Sequence, residues 1–155
     1  METYNLKNQN SSETNFNIWL TLGRAHHSIM LVRQREVRRY HISVRQLHVL
    51  RTIQELGSQA TLSEVAKRVE REPHAISKQS VRMEKDGLIK RTKNTPKSNL
   101  LQLELTDKGL ELANLAVKSE LIDKICSGLS SENRQQLISM LQTITDRANK
   151  INSIK

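Results

Sequence analysis

Apolar residues recur along this chain at three- and four-residue intervals, except in one short stretch where the interval drops to two. The longer interval is that of a helix with one buried face, and the shorter one that of a half-buried strand. Phe16, Trp19, Leu22, His26, Ile29/Met30, Val37 and Tyr40 predict a long first helix, with Arg24, Arg33, Arg35, Arg38 and Arg39 among them. After a short break at His41-Ile42, Ser43 and Gln46 have capping-box spacing and open a helix with Leu47, Leu50 and Ile53 on one face. It ends near Gly57. Thr61 and Glu64 repeat the capping signal before a third stripe, Leu62, Val65, Ala66 and Val69. Pro73 suits the first turn of a fourth helix, where its missing N–H costs nothing. Ile76 and Met83 face that helix inward, and Gly87 stops it.

Beyond Gly87 the period changes. Leu101, Leu103 and Leu105 alternate with Gln102 and Glu104, and a polar loop, Asn94 to Asn99, separates this run from LIKRTK. Three helices followed by a hairpin make a winged helix. Thr106 caps a further helix expected over residues 107–126, with stripes Leu110, Ala113, Val117, Leu121 and Leu112, Leu115, Ile122, Cys126. Two stripes imply burial on two sides. Gly128-Leu129-Ser130 breaks it. Leu137, Leu141, Ile144, Ala148 and Ile151 then form a coiled-coil-like seam.

The fold class is mainly α with a small β-hairpin wing: a winged helix-turn-helix lobe, with N- and C-terminal helices forming a dimerisation domain. Residues 1–14, Asn- and Ser-rich, are expected to be a flexible tail. Residues 15–40 form the N-terminal helix, which dimerises and links to the lobe; 41–106 form the winged helix-turn-helix, and 107–155 the C-terminal dimerisation helices. Phe16, Trp19, Leu115, Ile122, Leu137, Leu141, Ile144, Ala148 and Ile151 offer more apolar surface than a small lobe can cover. A second copy would bury it, and a two-fold dimer is the commonest arrangement.

Charge narrows the partner. The 155 residues carry a formal net charge of +9, which favours a polyanion, nucleic acid first. No apolar run is long enough to span a membrane, and the polar N-terminus has no signal-peptide core. With one cysteine, Cys126, no intrachain disulfide can form, so the expected location is the cytoplasm. Aromatic content of 3% argues against a stacking platform for single strands. There is no phosphate-cradling glycine motif and no His/Asp/nucleophile set, so the chain is read as no enzyme, with no cofactor and no metal.

The positive charge concentrates between residues 67 and 97, where Lys67, Arg68, Arg71, Lys78, Arg82, Lys85, Lys90, Arg91, Lys93 and Lys97 outnumber four acids. Such a face binds phosphate by releasing counterions, while base choice comes from the second helix of the pair. With Ile76 and Met83 inward, His74, Ala75, Ser77, Lys78 and Arg82 face outward. Lys78 can donate to a guanine edge and Ala75 can touch a thymine methyl, whereas Arg82, farther from the tip, suits a phosphate. The candidate DNA-contacting set is Thr61, Ser63, Pro73, His74, Ala75, Ser77, Lys78, Arg82, Arg91, Lys93, Lys97, Ser98 and Asn99.

HISVRQLHVLRTIQELG, TLSEVAKRVE, HAISKQSVRMEKDGLIKR and LLQLELTDKG together resemble segments of the MarR family of transcription regulators. The resemblance spans about residues 16 to 150, and its most specific pieces are Ser77 to Ile89 and Leu105 to Gly109. It implies a homodimer on a palindromic double-stranded operator, with repression relieved when a small aromatic or phenolic molecule binds between the dimer helices and the DNA-binding lobe. Trp19, His26, His27, Met30, Tyr40, His41 and His48 are the effector-site candidates on that basis. Two departures stand out. The family's wing carries an Asp-x-Arg pair where this chain has Pro96-Lys97-Ser98-Asn99, leaving Lys97 without the planar fork. Its helix-turn-helix turn favours Gly where this chain has Glu70, and a left-handed residue there costs about 1 kcal/mol. A winged-helix adaptor for protein or RNA, and a metal- or redox-responsive regulator, are the alternatives that residues alone leave open.

Overall fold

The computed structural model describes residues 3–93, 100–116 and 118–153, with side chains from residue 11 onward. The order is α1 (Thr3–Arg38), α2 (Val44–Leu56), a 3-10 turn (Gly57–Gln59), α3 (Leu62–Arg68), α4 (Pro73–Lys85), β1 (Ile89–Lys93), β2 (Leu101–Leu105), α5 (Asp107–Asn114), α6 (Glu120–Cys126) and α7 (Ser131–Ser153). The chain divides into two compact units, Met1–Ser119 and Glu120–Lys155. Among the described residues no helix is long and apolar enough to cross a membrane.

The core of the first unit collects one face from each of its elements after the first turns of α1. Leu47, Leu50 and Ile53 of α2, Val65 and Ala66 of α3, Ile76 and Met83 of α4, Leu88 and Ile89, Leu103 of β2 and Leu112 and Ala113 of α5 are all buried. Each large aliphatic side chain removed from water contributes about 1.5–3 kcal/mol, which is why these stripes dictate how the helices stack. The hairpin is antiparallel, with Ile89 opposite Leu105 and Arg91 opposite Leu103. Leu103 N donates to Ala60 O at 2.8 Å, tying the second strand to the start of α3.

The caps form where their residue types require. Ser43 and Gln46 make a full reciprocal capping box. Thr61 accepts from Glu64 N at 3.2 Å, and Thr106 from Gly109 N at 3.1 Å. Both helices of the helix-turn-helix end in the same left-handed closure. Arg71 N reaches Ala66 O and Glu70 N reaches Lys67 O after α3, while Leu88 N reaches Met83 O and Gly87 N reaches Glu84 O after α4. Gly87 has φ 70° as that closure demands; Glu70 holds φ 52° without being glycine.

Three expectations need correction. Helix α1 begins at Thr3, inside the segment expected to be a tail, since no Gly or Pro interrupts residues 3–22. The helix expected over 107–126 is two helices with a break between Asn114 and Glu120, and Val117 within that break lies outside the described residues. The break has a tertiary cause. Arg33, 8% exposed, ion-pairs with Glu36 and donates from Nη2 to Leu115 O at 2.9 Å and Ala116 O at 3.0 Å. Ser119 Oγ donates to Glu36 at 2.8 Å, closing the same lock. Lastly, α5 packs on α2 within the first unit, so the lobe's core runs past residue 106.

The second unit has two helices, and among its described residues no side chain is buried. Leu137, Leu141, Ile144 and Ile151 of α7 are 37–70% exposed. Phe16 and Trp19 of α1 are also exposed, with ring centroids 5.6 Å apart. Leu115 differs from these: it is half-buried and packs on its own lobe's core.

Candidate nucleic-acid interface

Helix α4 presents the face the sequence implies. Ile76, Ser80 and Met83 point into the core, and Ser80 donates to Ser77 O at 2.9 Å. His74, Lys78 and Arg82 are therefore exposed, with Ala75 and Ser77 half-exposed between them. Pro73 sits at the helix start, and no side chain caps the first N–H groups after Glu72. Those groups and the helix dipole favour an anion at this end.

His74, Ala75, Lys78 and Arg82 share a concavity of about 450 Å³ with Ser43, Arg45, Gln46 and Gln79. Arg45 is a cation that the sequence reading missed. It lies in the first turn of α2, just after the Ser43 cap, where the dipole disfavours positive charge. A basic residue in a place that favours acids was the available signal. Among the described residues neither Arg45, His74, Lys78 nor Arg82 has a side-chain hydrogen bond or ion pair. These groups are free to meet phosphate or base edges.

The remaining candidates divide. Ser63 and Lys93 are exposed, whereas the Thr61 hydroxyl is engaged in capping α3. Arg91 turns back toward α4: its N–H donates to Glu84 at 2.9 Å, and its guanidinium lies 3.8 Å from the same carboxylate. It braces wing against helix. Lys97, Ser98 and Asn99 lie outside the described residues. The base of the wing is fixed by the two motifs singled out earlier. Thr106 Oγ1 donates to Gly87 O at 2.7 Å and Lys108 Nζ to Asp86 O at 3.0 Å, while Gly109 lies directly against Leu88 O.

Behind α4 is a second cleft of about 340 Å³. It brings together three of the seven effector candidates, His26, Met30 and His48, with Val44, Arg45, Val49, Val69, Arg71, Ile76 and Gln79. Trp19, His27, Tyr40 and His41 are not in its lining. Trp19 pairs with Phe16, the Tyr40 ring lies 4.8 Å from the Arg39 guanidinium, and His41 forms the turn after α1 with φ 57°.

Two helices joined by a tight left-handed turn, a hairpin locked to the second of them, and a free cationic face define a winged helix-turn-helix lobe. The family model described as MarR family matches residues 42–96, the segment that forms α2, α3, α4 and the wing's first strand. Over that segment the chain is similar to the MarR family. A curated relative, the HTH-type transcriptional repressor MdtR of Bacillus subtilis (strain 168), is 41% identical over 64 residues, which span 41% of this chain and 41% of that one. Among solved structures, the organohalide-sensing regulator RdhR-CbdbA1625 in its 2,4-dichlorophenol-bound form is 26% identical, with a TM-score of 0.75 over 84% of this chain and 78% of that one. The S. aureus MepR–DNA complex shares the fold at 20% identity, with a TM-score of 0.74 over 83% of this chain and 96% of that one.

Proposed function

We propose that this protein is a homodimeric transcriptional repressor that binds a palindromic double-stranded operator and leaves it when a small aromatic or phenolic effector binds. The observation that carries the reading is the free polar face of α4, His74 with the cations Lys78 and Arg82, beside Arg45 and next to a wing braced through Arg91. In two copies related by a two-fold axis, the α4 helices enter successive major grooves about 34 Å apart, and the wings reach the adjacent minor grooves. The exposed apolar seam of α7, Leu137, Leu141, Ile144, Ala148 and Ile151, together with Phe16, Trp19 and Ile122, supplies the surface between copies. Effector relief is supported by the cleft behind α4 and by the dichlorophenol bound to RdhR-CbdbA1625.

Selection from a random duplex library tests this directly. A repressor of this kind enriches a two-fold symmetric word and protects it in footprinting; an adaptor for protein or RNA enriches none. Sedimentation of the full chain must also give twice the monomer mass.

A further inference from the structure

A cleft of about 570 Å³ shares no lining residue with the DNA-facing concavity. Its walls are the end of α2, the 3-10 turn, the second strand and Leu110 of α5, which is 43% exposed.

Strand β2 meets this cleft with part of its edge unpaired. Arg91 N donates to the Glu84 carboxylate at 2.9 Å and Leu103 N to Ala60 O at 2.8 Å. These two residues lie opposite each other, so both turn their backbone groups away from the hairpin. In an antiparallel pair that orientation recurs every second residue, so Leu105, opposite Ile89, also points its N–H and C=O outward. On that side Ala60 and Thr61 pair with β2, and the pairing stops where the preceding chain curls into the turn Gly57–Gln59. Among the described residues neither backbone group of half-buried Leu105 has a hydrogen-bond partner.

We propose that this cleft docks an extended segment of a partner protein in which apolar residues alternate with lysine or arginine. The segment pairs with Leu105 as an added strand, its main chain supplying the missing donor and acceptor. Its apolar side chains enter beside Ile53, Leu103, Leu105 and Leu110. The side chain between them points to the other face of the strand, beside Glu104. Glu104 is the one charged residue of the lining, and among the described residues it forms no ion pair, even with Lys90 opposite it. A carboxylate without a cation, on a chain of net charge +9, selects a basic segment and rejects an acidic one. Because the two clefts share no wall, the partner can be held while duplex is bound.

The test titrates three end-blocked pentapeptides into the full chain, followed by NMR and calorimetry: one alternating valine and lysine, one alternating valine and glutamate, and the first N-methylated at its central valine. The valine–lysine peptide is expected to bind one site per protomer and to shift the amide signals of Ser58, Gln102, Leu103, Glu104, Leu105 and Leu110. The glutamate peptide should bind about tenfold more weakly. N-methylation should cost about fivefold, the loss of one backbone hydrogen bond. Leu110→Ala should weaken binding about fivefold and Glu104→Gln about threefold, with thermal unfolding and DNA affinity as in wild type. Equal affinity for the lysine and glutamate peptides overturns the proposal, as does binding that Leu110→Ala leaves unchanged. No binding at millimolar peptide also overturns it. If Leu110→Ala instead abolishes a concentration-dependent association between dimers, the occupant is a second copy and the partner segment is ruled out.

Discussion

Gly109 and Gly23 both lie within helices, yet the same substitution should move stability in opposite directions. A Cβ added at Gly109 would stand 1.9 Å from Leu88 O and 3.0 Å from Leu88 C. Carbon and carbonyl oxygen settle at about 3.3 Å or more, so the overlap exceeds an ångström and falls on backbone that cannot rotate away. Leu88 is 1% exposed, and its carbonyl accepts from Thr106 N at 3.2 Å and from Thr106 Oγ1 at 3.1 Å. Relieving the clash breaks or stretches both bonds, each worth about 1 kcal/mol, and adds an overpacking cost of about 2 kcal/mol. Alanine's helical preference returns about 1 kcal/mol. Gly109→Ala is therefore expected to lose about 3 kcal/mol. At Gly23 an added Cβ meets nothing within 4 Å, so Gly23→Ala should gain about 0.5–1 kcal/mol. Urea unfolding followed by circular dichroism, at one fixed protomer concentration, measures both. A Gly109→Ala protein as stable as wild type would show that the joint between wing and α4 is not closely packed.

Arg33→Met should cost about 3 kcal/mol in the same assay, because Glu36 stays behind without its partner and two carbonyls lose their donor; a loss under 1 kcal/mol would mean another group holds the break after α5. Glu70→Gly should raise stability by about 0.5 kcal/mol, relief of the left-handed backbone outweighing glycine's freedom in the unfolded chain. A lower urea midpoint for that variant contradicts this. Lys78→Ala should weaken operator binding by about 1–3 kcal/mol at one base position, read from a panel of single-base operator variants. A uniform loss across the panel would assign Lys78 to phosphate.

What could be read from sequence here was what is local. The stripes of α2, α3 and α4, the caps at Ser43, Thr61 and Thr106, the stop at Gly87 and the alternation of β2 each depend on residues within one or two turns. The turn at Glu70 came into view only through the family resemblance, which puts Gly there, and the backbone keeps the left-handed closure with Glu in place, φ 52°. The break after Asn114 was not visible. Residues 107–126 contain no Pro, and the donor that ends α5 is Arg33, some eighty positions upstream. Arg91 read as a free wing cation because its partner, Glu84, sits on a different element. The effector candidates divided for the same reason: spacing along α1 and α2 says which residues are near in sequence, but only packing against α4 selects His26, Met30 and His48.

The joint formed by Gly87, Leu88, Thr106, Lys108 and Gly109 also limits how this protein can change shape. Reading head and wing pivot on shared backbone, so neither can splay from the other without melting the corner between them. Helix α4 and the wing thus form one casting rather than a hinge, and any rearrangement between them must come from single side chains.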